Sequence, residues 1–243
     1  MMHQAVVYYT FCSRTLESPG IYLQYQRKLA DKMLNHGFIK CFNIEFDRNN
    51  VAKGKYGKPY WRGDEEIQFN VSNTRGLVVC ALSDTEIGVD AEGLRAIRMP
   101  VIRRCCAPEE MAYLTEGNFN LAEKEFNLTG EEFDLKEKNF NLTEENYSKR
   151  GSLKSERDGE KMLFTRFFQI WTLKESYIKM TGEGMRFPMK DAVFSIEEKE
   201  GTAEIICNQP GFFAQRRIKD YWISLCAREE VKVSWQELKV EEL

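Results

Sequence analysis

Three carboxylates and two lysines, divided between two short stretches, are the residues of this sequence best suited to chemistry. Asp90 and Glu92 lie in GVDAE, while Lys174, Glu175 and Lys179 lie in WTLKESYIK. Side chains alternate along a strand, so Asp90 and Glu92 project from one face. Adjacent carboxylates repel each other, and a divalent cation is the simplest compensation. The pattern therefore favours a carboxylate-bound cation, while a solvent-facing edge strand remains the alternative for Asp-x-Glu.

The second stretch, residues 164–186, has the apolar spacing of a buried helix, with two charges at its centre. Burying charge is costly unless partners are present, and this leaves two interpretations. In the first, Lys174 and Glu175 lie at the edge of the apolar stripe or pair with structural residues. In the second, Glu175 meets a metal and the lysines meet phosphates. The residues that make the two apolar faces are Phe164, Phe167, Trp171 and Ile178 on one side, and Leu173, Tyr177 and Met180 on the other.

A third concentration of charge lies in residues 53–59, which read KGKYGKP. Three lysines and two glycines in seven positions favour a solvated turn, with a basic loop over phosphates as the alternative. The sequence alone leaves both interpretations open.

Composition narrows the classes of function. The 243 residues suffice for one large domain or two small ones, and the net charge of −3 gives no basic field for nucleic acid. His3 and His36 are the only histidines, which disfavours histidine metal sites and Ser-His-Asp triads. A bound metal is therefore expected to be a hard ion, Mg²⁺ first and Mn²⁺ second.

The expected compartment is the cytoplasm, without membrane association. No apolar run approaches the roughly 18–20 residues of a membrane helix, and the first residues lack the layout of a signal peptide. The seven cysteines show no CxxC spacing, so we expect reduced thiols in the core.

Periodicity and turn residues predict the elements that must position these groups. Strands are expected at residues 4–11 and 38–46, with a helix at 21–36 that Gly37 ends. Residues 72–76 predict a polar turn. Residues 77–82 and 86–92 predict two strands that a tight turn at 83–85 joins into a hairpin, and Gly88 permits a close approach to the backbone. Pro108 opens a further helix, Gly182 ends the helix that carries Glu175, and short strands follow.

Residues 118–150 form a tandem repeat of seven residues, of the type NFNLAEK-EFNLTGE. Its aromatic and leucine positions are two apart, which departs from a coiled-coil seam. We interpret the repeat as an exposed low-complexity insertion, with a partner-binding arm as the alternative. Residues 151–161 are interpreted as a polar linker.

Both charged stretches resemble signatures of one family, the 4′-phosphopantetheinyl transferases. GVDAE (88–92) is similar to the G-[IV]-D-x-E signature, and WTLKESYIKMTGEG (171–184) is similar to W-x-x-K-E-[SA]-x-x-K followed by a glycine-rich turn. GKP (57–59) and FNVSN (69–73) resemble two shorter blocks in the same order. The length resembles the large, monomeric, surfactin-synthetase-activating type. The resemblance implies an α+β fold, a pseudo-twofold pair of lobes at 1–89 and 90–243, and an active site at their interface.

The implied reaction moves phosphopantetheine from coenzyme A to a serine of an acyl or peptidyl carrier protein in fatty-acid, polyketide or nonribosomal-peptide systems. It is the activity of a holo-[acyl-carrier-protein] synthase and leaves adenosine 3′,5′-bisphosphate. The resemblance assigns Mg²⁺ to Asp90, Glu92 and Glu175. It implies Lys58, Ser72, Asn73 and Lys174 as coenzyme A contacts, with Ser72 at the 3′-phosphate region. It implies Glu175, Lys179 and Glu110 as catalytic residues, with Glu175 or a metal-bound water as the first choice of base and Glu110 as a further candidate.

One departure from the family pattern bears on function. Asn73 stands where the upstream block usually has a histidine, which removes a cationic phosphate contact but keeps a hydrogen-bond donor. The alternative functions are a degenerate homologue that binds coenzyme A or a carrier protein without turnover, and another Mg²⁺-dependent phosphotransferase or pyrophosphatase.

Overall fold

The computed structural model describes residues 2–13, 18–116, 154–199 and 202–243 and shows a mixed α+β fold, as the sequence predicts. The helices are α1 (Pro19–Phe42), α2 (Met99–Cys105), α3 (Pro108–Thr115) and α4 (Lys154–Thr181). The strands are β1 (His3–Phe11), β2 (Val51–Lys53), β3 (Pro59–Trp61), β4 (Gln68–Thr74), β5 (Leu77–Ser83), β6 (Ile87–Gly93), β7 (Phe194–Lys199), β8 (Thr202–Cys207), β9 (Phe212–Ile218), β10 (Tyr221–Ala227) and β11 (Val231–Glu237).

Two sheets form the centre of the described part of the chain. The first has the strand order β11-β1-β5-β4, and the second has the order β6-β10-β9. The predicted hairpin of residues 77–82 and 86–92 is wrong, because β5 and β6 lie in different sheets. The turn predicted at 72–76 is wrong up to Thr74, because β4 continues to that residue. Neighbouring strands run antiparallel, except that β11 lies parallel to β1. Strands β2 and β3 form one hairpin, β7 and β8 form another, and the lysine-rich loop of residues 53–59 connects β2 to β3.

The layers follow from the alternation of side chains on β5. Val79 and its neighbours on one face pack against the second sheet, in a core shared with Val89 and Ile223. Cys80 and its neighbours on the opposite face pack against α1, in a core that includes Met33. The far face of the second sheet packs against α4. The order of layers is therefore α1, first sheet, second sheet, α4.

The same succession of elements occurs twice along the chain. In the first half a strand, a long helix, a hairpin and two strands follow one another as β1, α1, β2–β3, β4 and β5. In the second half β6, α4, β7–β8, β9 and β10 repeat this succession, with α2 and α3 inserted after β6. Within each succession, the last strand also lies between the other two strands of its sheet, as β1-β5-β4 and β6-β10-β9, and β11 is added to the first sheet beside β1. The predicted lobe boundary between residues 89 and 90 falls within β6 and stays a prediction.

Helix α1 is longer than the sequence predicts. Gly37 does not end it, and the strand predicted at 38–46 is wrong, because the helix continues to Phe42. Gly37 is needed for packing instead, since a Cβ there would lie 2.6 Å from Leu82 Cδ1. The helix ends at Asn43, which adopts a left-handed conformation with φ 56° and donates its backbone N–H to Ile39 O.

Helix α4 begins at Lys154, so residues 154–161 are helical and the linker predicted there is wrong. Its end at Thr181, followed by Gly182 with φ +72°, confirms the predicted stop. The tandem repeat at 118–150 lies outside the described residues. Within the described ranges, no helix combines the length and apolarity needed to cross a membrane.

Candidate active site

Strand β6 and helix α4 meet at Gly88 with no room for a side chain. A Cβ at Gly88 would lie 2.1 Å from the backbone oxygen of Ser176 and 2.3 Å from the backbone nitrogen of Met180. Such backbone atoms cannot give way, so glycine is required here. The close approach predicted from the sequence is confirmed, and it places Asp90, two residues further along β6, beside the last turns of α4.

Asp90 is buried, and its two oxygens have different surroundings. Oδ1 accepts hydrogen bonds from Ser72 Oγ at 2.9 Å and from Lys179 Nζ at 2.7 Å. Oδ2 is buried and has no hydrogen-bond partner among the described residues. A buried carboxylate oxygen without a donor costs free energy, so Oδ2 indicates a position for a ligand.

Glu175 lies half-buried near the same carboxylate. Burial and, after it, the charge of Asp90 raise the pKa of Glu175 to about 7, while Lys179 lowers it and Glu92 raises it further. The three carboxylates predicted as a group are therefore close enough to interact electrostatically. In this respect the structure brings the two sequence signatures together.

Glu92 already has cationic and neutral donors. Its Oε2 accepts from Arg95 Nη1 at 2.7 Å and from Thr74 Oγ1 at 3.1 Å, and Arg95 Nη2 reaches Oε1 at 3.3 Å. The Arg95 guanidinium also lies 4.6 Å above the ring of Phe168. Sequence reasoning missed Arg95, although its position three residues after Glu92 was an available signal.

The assignment of Mg²⁺ to Asp90, Glu92 and Glu175 stays a prediction. Across the described ranges, no group of three or more His, Cys, Asp or Glu side chains is arranged to hold a metal ion. The physical reason is that Lys179 and Arg95 now neutralise Asp90 and Glu92. The donor set still suits a hard cation, because it consists of carboxylates and includes the unpartnered Oδ2 of Asp90.

Lys174 and Glu110 have a different environment from the predicted one. They form an ion pair at 2.7 Å between side chains that are both 0% exposed. Lys174 Nζ also donates to Met189 O at 2.8 Å and Ala192 O at 2.7 Å, so its three hydrogens are used by the protein. Glu110 accepts from the backbone nitrogens of Phe194 and Ala107. Neither side chain faces an open site in this arrangement.

Lys58 and Asn73 each contact a helix of the fold. Lys58 Nζ donates to Met180 O at 2.7 Å, in the last turn of α4, and burial lowers the pKa of Lys58. Asn73 is exposed, and its Nδ2 donates to Gln26 Oε1 of α1 at 3.1 Å. Ser72, predicted as a phosphate contact, lies against Asp90 instead. The predicted contacts of Lys58, Ser72 and Asn73 with coenzyme A stay predictions.

This arrangement combines three chemical capacities. Asp90 offers a free carboxylate oxygen, Glu175 carries a carboxyl group whose pKa is raised to about 7, and Lys179 has a side chain that is 28% exposed. Its ammonium group donates to Asp90 Oδ1 and Val89 O, which leaves one hydrogen for a further acceptor. Together they can bind a hard cation, contact an anionic oxygen and exchange a proton near neutral pH.

Comparison with known proteins assigns the family. Residues 86–226, more than half of the chain, match the profile described as the 4′-phosphopantetheinyl transferase superfamily. The chain is similar to the 4′-phosphopantetheinyl transferase gsp of Aneurinibacillus migulanus, with 24% identity over 165 residues that cover 68% of this chain and 52% of the relative. It is also similar to a 4′-phosphopantetheinyl transferase of Bacillus subtilis, with 22% identity over 172 residues that cover 71% of this chain and 58% of the relative.

A third relative is the 4′-phosphopantetheinyl transferase Sfp of Bacillus subtilis, with 22% identity over 161 residues that cover 66% of this chain and 54% of the relative. The chain thus spans little more than half the length of these three curated relatives. The family match begins one residue before β6 and ends one residue before the end of β10, so it includes both carboxylate signatures. The chain belongs to the 4′-phosphopantetheinyl transferase superfamily.

Proposed function

We propose that this protein transfers 4′-phosphopantetheine from coenzyme A to a serine of an acyl or peptidyl carrier protein, in a Mg²⁺-dependent reaction that releases adenosine 3′,5′-bisphosphate. The observation that carries the proposal is the buried, unpartnered Oδ2 of Asp90, with Lys179 and Glu175 beside it, inside the segment that matches the family. Mn²⁺ is proposed as an alternative metal.

The proposed site lies between the two repeated successions of elements. Asp90 and Glu92 come from β6, Glu175 and Lys179 come from α4, and Ser72 reaches them from β4 of the first sheet. We interpret the two successions as a pseudo-twofold pair of lobes at 1–89 and 90–243, with the active site at their interface. A monomer therefore contains all the proposed site residues, and we expect a cytoplasmic monomer with no nucleic-acid partner.

In the proposed reaction, the oxygen of the carrier serine forms a bond to the phosphorus atom that bears pantetheine. The bond from this phosphorus to the adenosine bisphosphate oxygen breaks, and the serine proton moves to Glu175. Without a bound metal, burial and the charge of Asp90 raise the pKa of Glu175 to about 7, which is close to the value that suits a general base near neutral pH. Lys179, with a side chain that is partly exposed, binds a phosphate oxygen and stabilises the leaving group.

A metal held by Asp90, Glu92 and Glu175 would neutralise the charge on the phosphates. Because Arg95 contacts both oxygens of Glu92, it must release at least one of them when a metal binds, whereas Asp90 keeps Oδ2 open while Lys179 contacts Oδ1. Lys174 and Glu110 contribute by fixing α4 to its neighbours, since both are sealed from solvent.

The second candidate is a homologue that binds coenzyme A or a carrier protein without turnover. The absence of a preassembled metal group in the described residues and the hydrogen bond between Asn73 and Gln26 favour it. It differs from the first proposal in predicting binding without a covalent product.

Intact-protein mass spectrometry distinguishes the two functions. Apo acyl and apo peptidyl carrier proteins are incubated with this protein, coenzyme A and Mg²⁺, with EDTA in a parallel sample. We expect a gain of one phosphopantetheine that EDTA abolishes. Binding of coenzyme A without any gain in mass on either carrier class would support the second candidate and reject the first.

Asp90→Asn tests the assigned site in the same assay. Loss of the anionic ligand is expected to lower transfer by at least about 100-fold, the scale found when one transition-state contact is removed. Glu183→Gln is the matched control, because Glu183 is exposed two residues beyond the end of α4. Equal transfer by Asp90→Asn and the wild-type protein would show that the site is misassigned.

A further inference from the structure

Strand β4 presents three polar side chains to β6 at alternate positions. Asn70 Oδ1 accepts from the backbone nitrogen of Val89 at 3.0 Å, and Ser72 Oγ accepts from the backbone nitrogen of Ala91 at 3.2 Å. Thr74 Oγ1 donates to Glu92 Oε2 at 3.1 Å. We call Asn70, Ser72 and Thr74 the polar ladder. Its period of two is that of side chains on one face of a strand.

The polar ladder holds two strands that belong to different sheets. Strand β4 pairs through its backbone with β5, and β6 pairs through its backbone with β10. In the described structure the two strands share no sheet, so side chains satisfy the backbone groups of β6 at this edge. Asn70 and Ser72 are buried, and replacing them with apolar residues would leave backbone N–H groups without partners.

Ser72 has a fixed role in this contact. Its oxygen accepts the N–H of Ala91, and its own hydrogen points to Asp90 Oδ1 at 2.9 Å. Lys179 Nζ donates to the same Oδ1 at 2.7 Å. Two donors on one oxygen fix the rotation of the carboxylate, and they leave Oδ2 as the oxygen without a donor.

Thr74 acts on the second carboxylate in a similar way. Its hydroxyl and Arg95 both donate to Glu92 Oε2. Thr74 keeps its hydrogen bond whether or not Arg95 is displaced, because the two donors come from different segments of the chain. The hydroxyl therefore limits the rotation of Glu92 when the arginine leaves.

We propose that Ser72 and Thr74 are positioning residues that aim Asp90 and Glu92 at the cation. This inference rests on the proposed function, and it gives Ser72 a role different from the phosphate contact that the family resemblance implies. Asn70 supports both by fixing the backbone of β6 next to Asp90. The first sheet thereby controls the geometry of carboxylates that belong to the second.

Calorimetric titration with MgCl₂, repeated with MnCl₂, measures the effect without any reaction. Ser72→Ala is expected to weaken metal binding about 10–100-fold, as loss of a contact to a metal ligand typically does. Thr74→Val is expected to weaken it less, because the Glu92 side chain is partly exposed and solvent can replace the lost hydroxyl. Ser83→Ala is the matched control: Ser83 is also buried, and its hydroxyl donates to Gln4 O at 2.7 Å on the first sheet. The control should bind metal as the wild-type protein does.

Steady-state kinetics with coenzyme A and with 3′-dephospho-coenzyme A separate positioning from phosphate binding. Positioning predicts that Ser72→Ala lowers kcat with both substrates and leaves both KM values unchanged at saturating Mg²⁺. The proposal is overturned if Ser72→Ala binds metal normally and raises KM for coenzyme A alone. It is also overturned if the wild-type protein binds neither metal. If Ser72→Ala weakens metal binding but no variant transfers phosphopantetheine, the positioning role stands and the proposed function fails.

Discussion

Two lysines of helix α4 form ion pairs with carboxylates of other elements. The two pairs have the same N–O distance, but they differ in how many of their polar atoms have partners in the protein. Lys174–Glu110 and Lys179–Asp90 both measure 2.7 Å, and their lysines are five residues apart. In the first pair every hydrogen of the ammonium and both carboxylate oxygens have partners in the protein. In the second pair one oxygen has none and the lysine is 28% exposed. Unused bonding capacity and partial exposure, rather than distance, distinguish this pair from the structural ion pair.

We call Lys174–Glu110 the closed pair, because all its bonding groups have partners, and Lys179–Asp90 the open pair. The largest expected effect comes from breaking the closed pair. Lys174→Met leaves Glu110 charged in the core and removes the donor to two backbone carbonyls. Removing one partner of a buried pair costs about 3–5 kcal/mol, and we expect a loss of this size in the free energy of unfolding measured with urea. Lys179→Met is the control from the open pair. A loss no larger than that of the control would contradict the structural role of Lys174.

An intermediate effect on the free energy of unfolding is expected from the titration of Glu175, which lies beside the open pair. The folded-state pKa of Glu175 is raised from 4.5 to about 7, so the folded protein binds more protons than the unfolded chain between these values. Its stabilising contribution is present below pH 4.5 and is lost as the pH rises to about 7. Without metal, Glu175→Gln should therefore match the wild-type protein near pH 4.5 and exceed its stability at pH 8.

Urea unfolding midpoints of both proteins, measured in EDTA across this range, test the sign. Asp90, Glu92 and Lys179 are the charged groups that influence Glu175. If Glu175→Gln were the less stable protein at pH 8, the carboxylate would be stabilised in the folded state, and the crowding of negative charge described above would be wrong.

The smallest effect is expected at Lys58, which lies outside α4 and contacts its last turn. Lys58→Met removes one hydrogen bond to Met180 O, worth about 0.5–1.5 kcal/mol, and the desolvation that lowers the pKa of Lys58 offsets part of it. The thermal unfolding midpoint measures this loss. Lys53→Met, on an exposed position of the same hairpin, is the control. A destabilisation as large as that of Lys174→Met would place Lys58 with the closed pair.

Strand alternation and the positions of glycines predicted those parts of the site that depend on a single strand or helix. Strand alternation placed Asp90 and Glu92 together, and Gly88 was interpreted as a point of close approach, which the structure confirms. Gly37 misled the same rules because its missing side chain serves packing against Leu82 rather than a helix end. A glycine has two uses, and only the tertiary structure shows which applies.

The partners of charged side chains could not be predicted, because they come from distant parts of the chain. Helical spacing places Lys174 and Glu175 about 100° apart, but it does not show that Glu110 lies opposite one of them. Arg95 is close to Glu92 in sequence, yet its position also depends on Phe168 of α4. The sequence thus identified the carboxylates, whereas the cations that pair with them are known only from the fold.

The parallel pairing of β11 with β1 has a consequence for folding during synthesis. His3 pairs with Val231, and Tyr9 pairs with Glu237, so one edge of β1 acquires its partner only after nearly all of the described chain has emerged from the ribosome. Until then that edge exposes unpaired backbone groups, which are templates for aggregation. Because β11 directly follows β10 of the second sheet, the strand that protects this edge also fastens the two sheets together. The first sheet therefore gains its fourth strand only after all the strands around Asp90 have been synthesised.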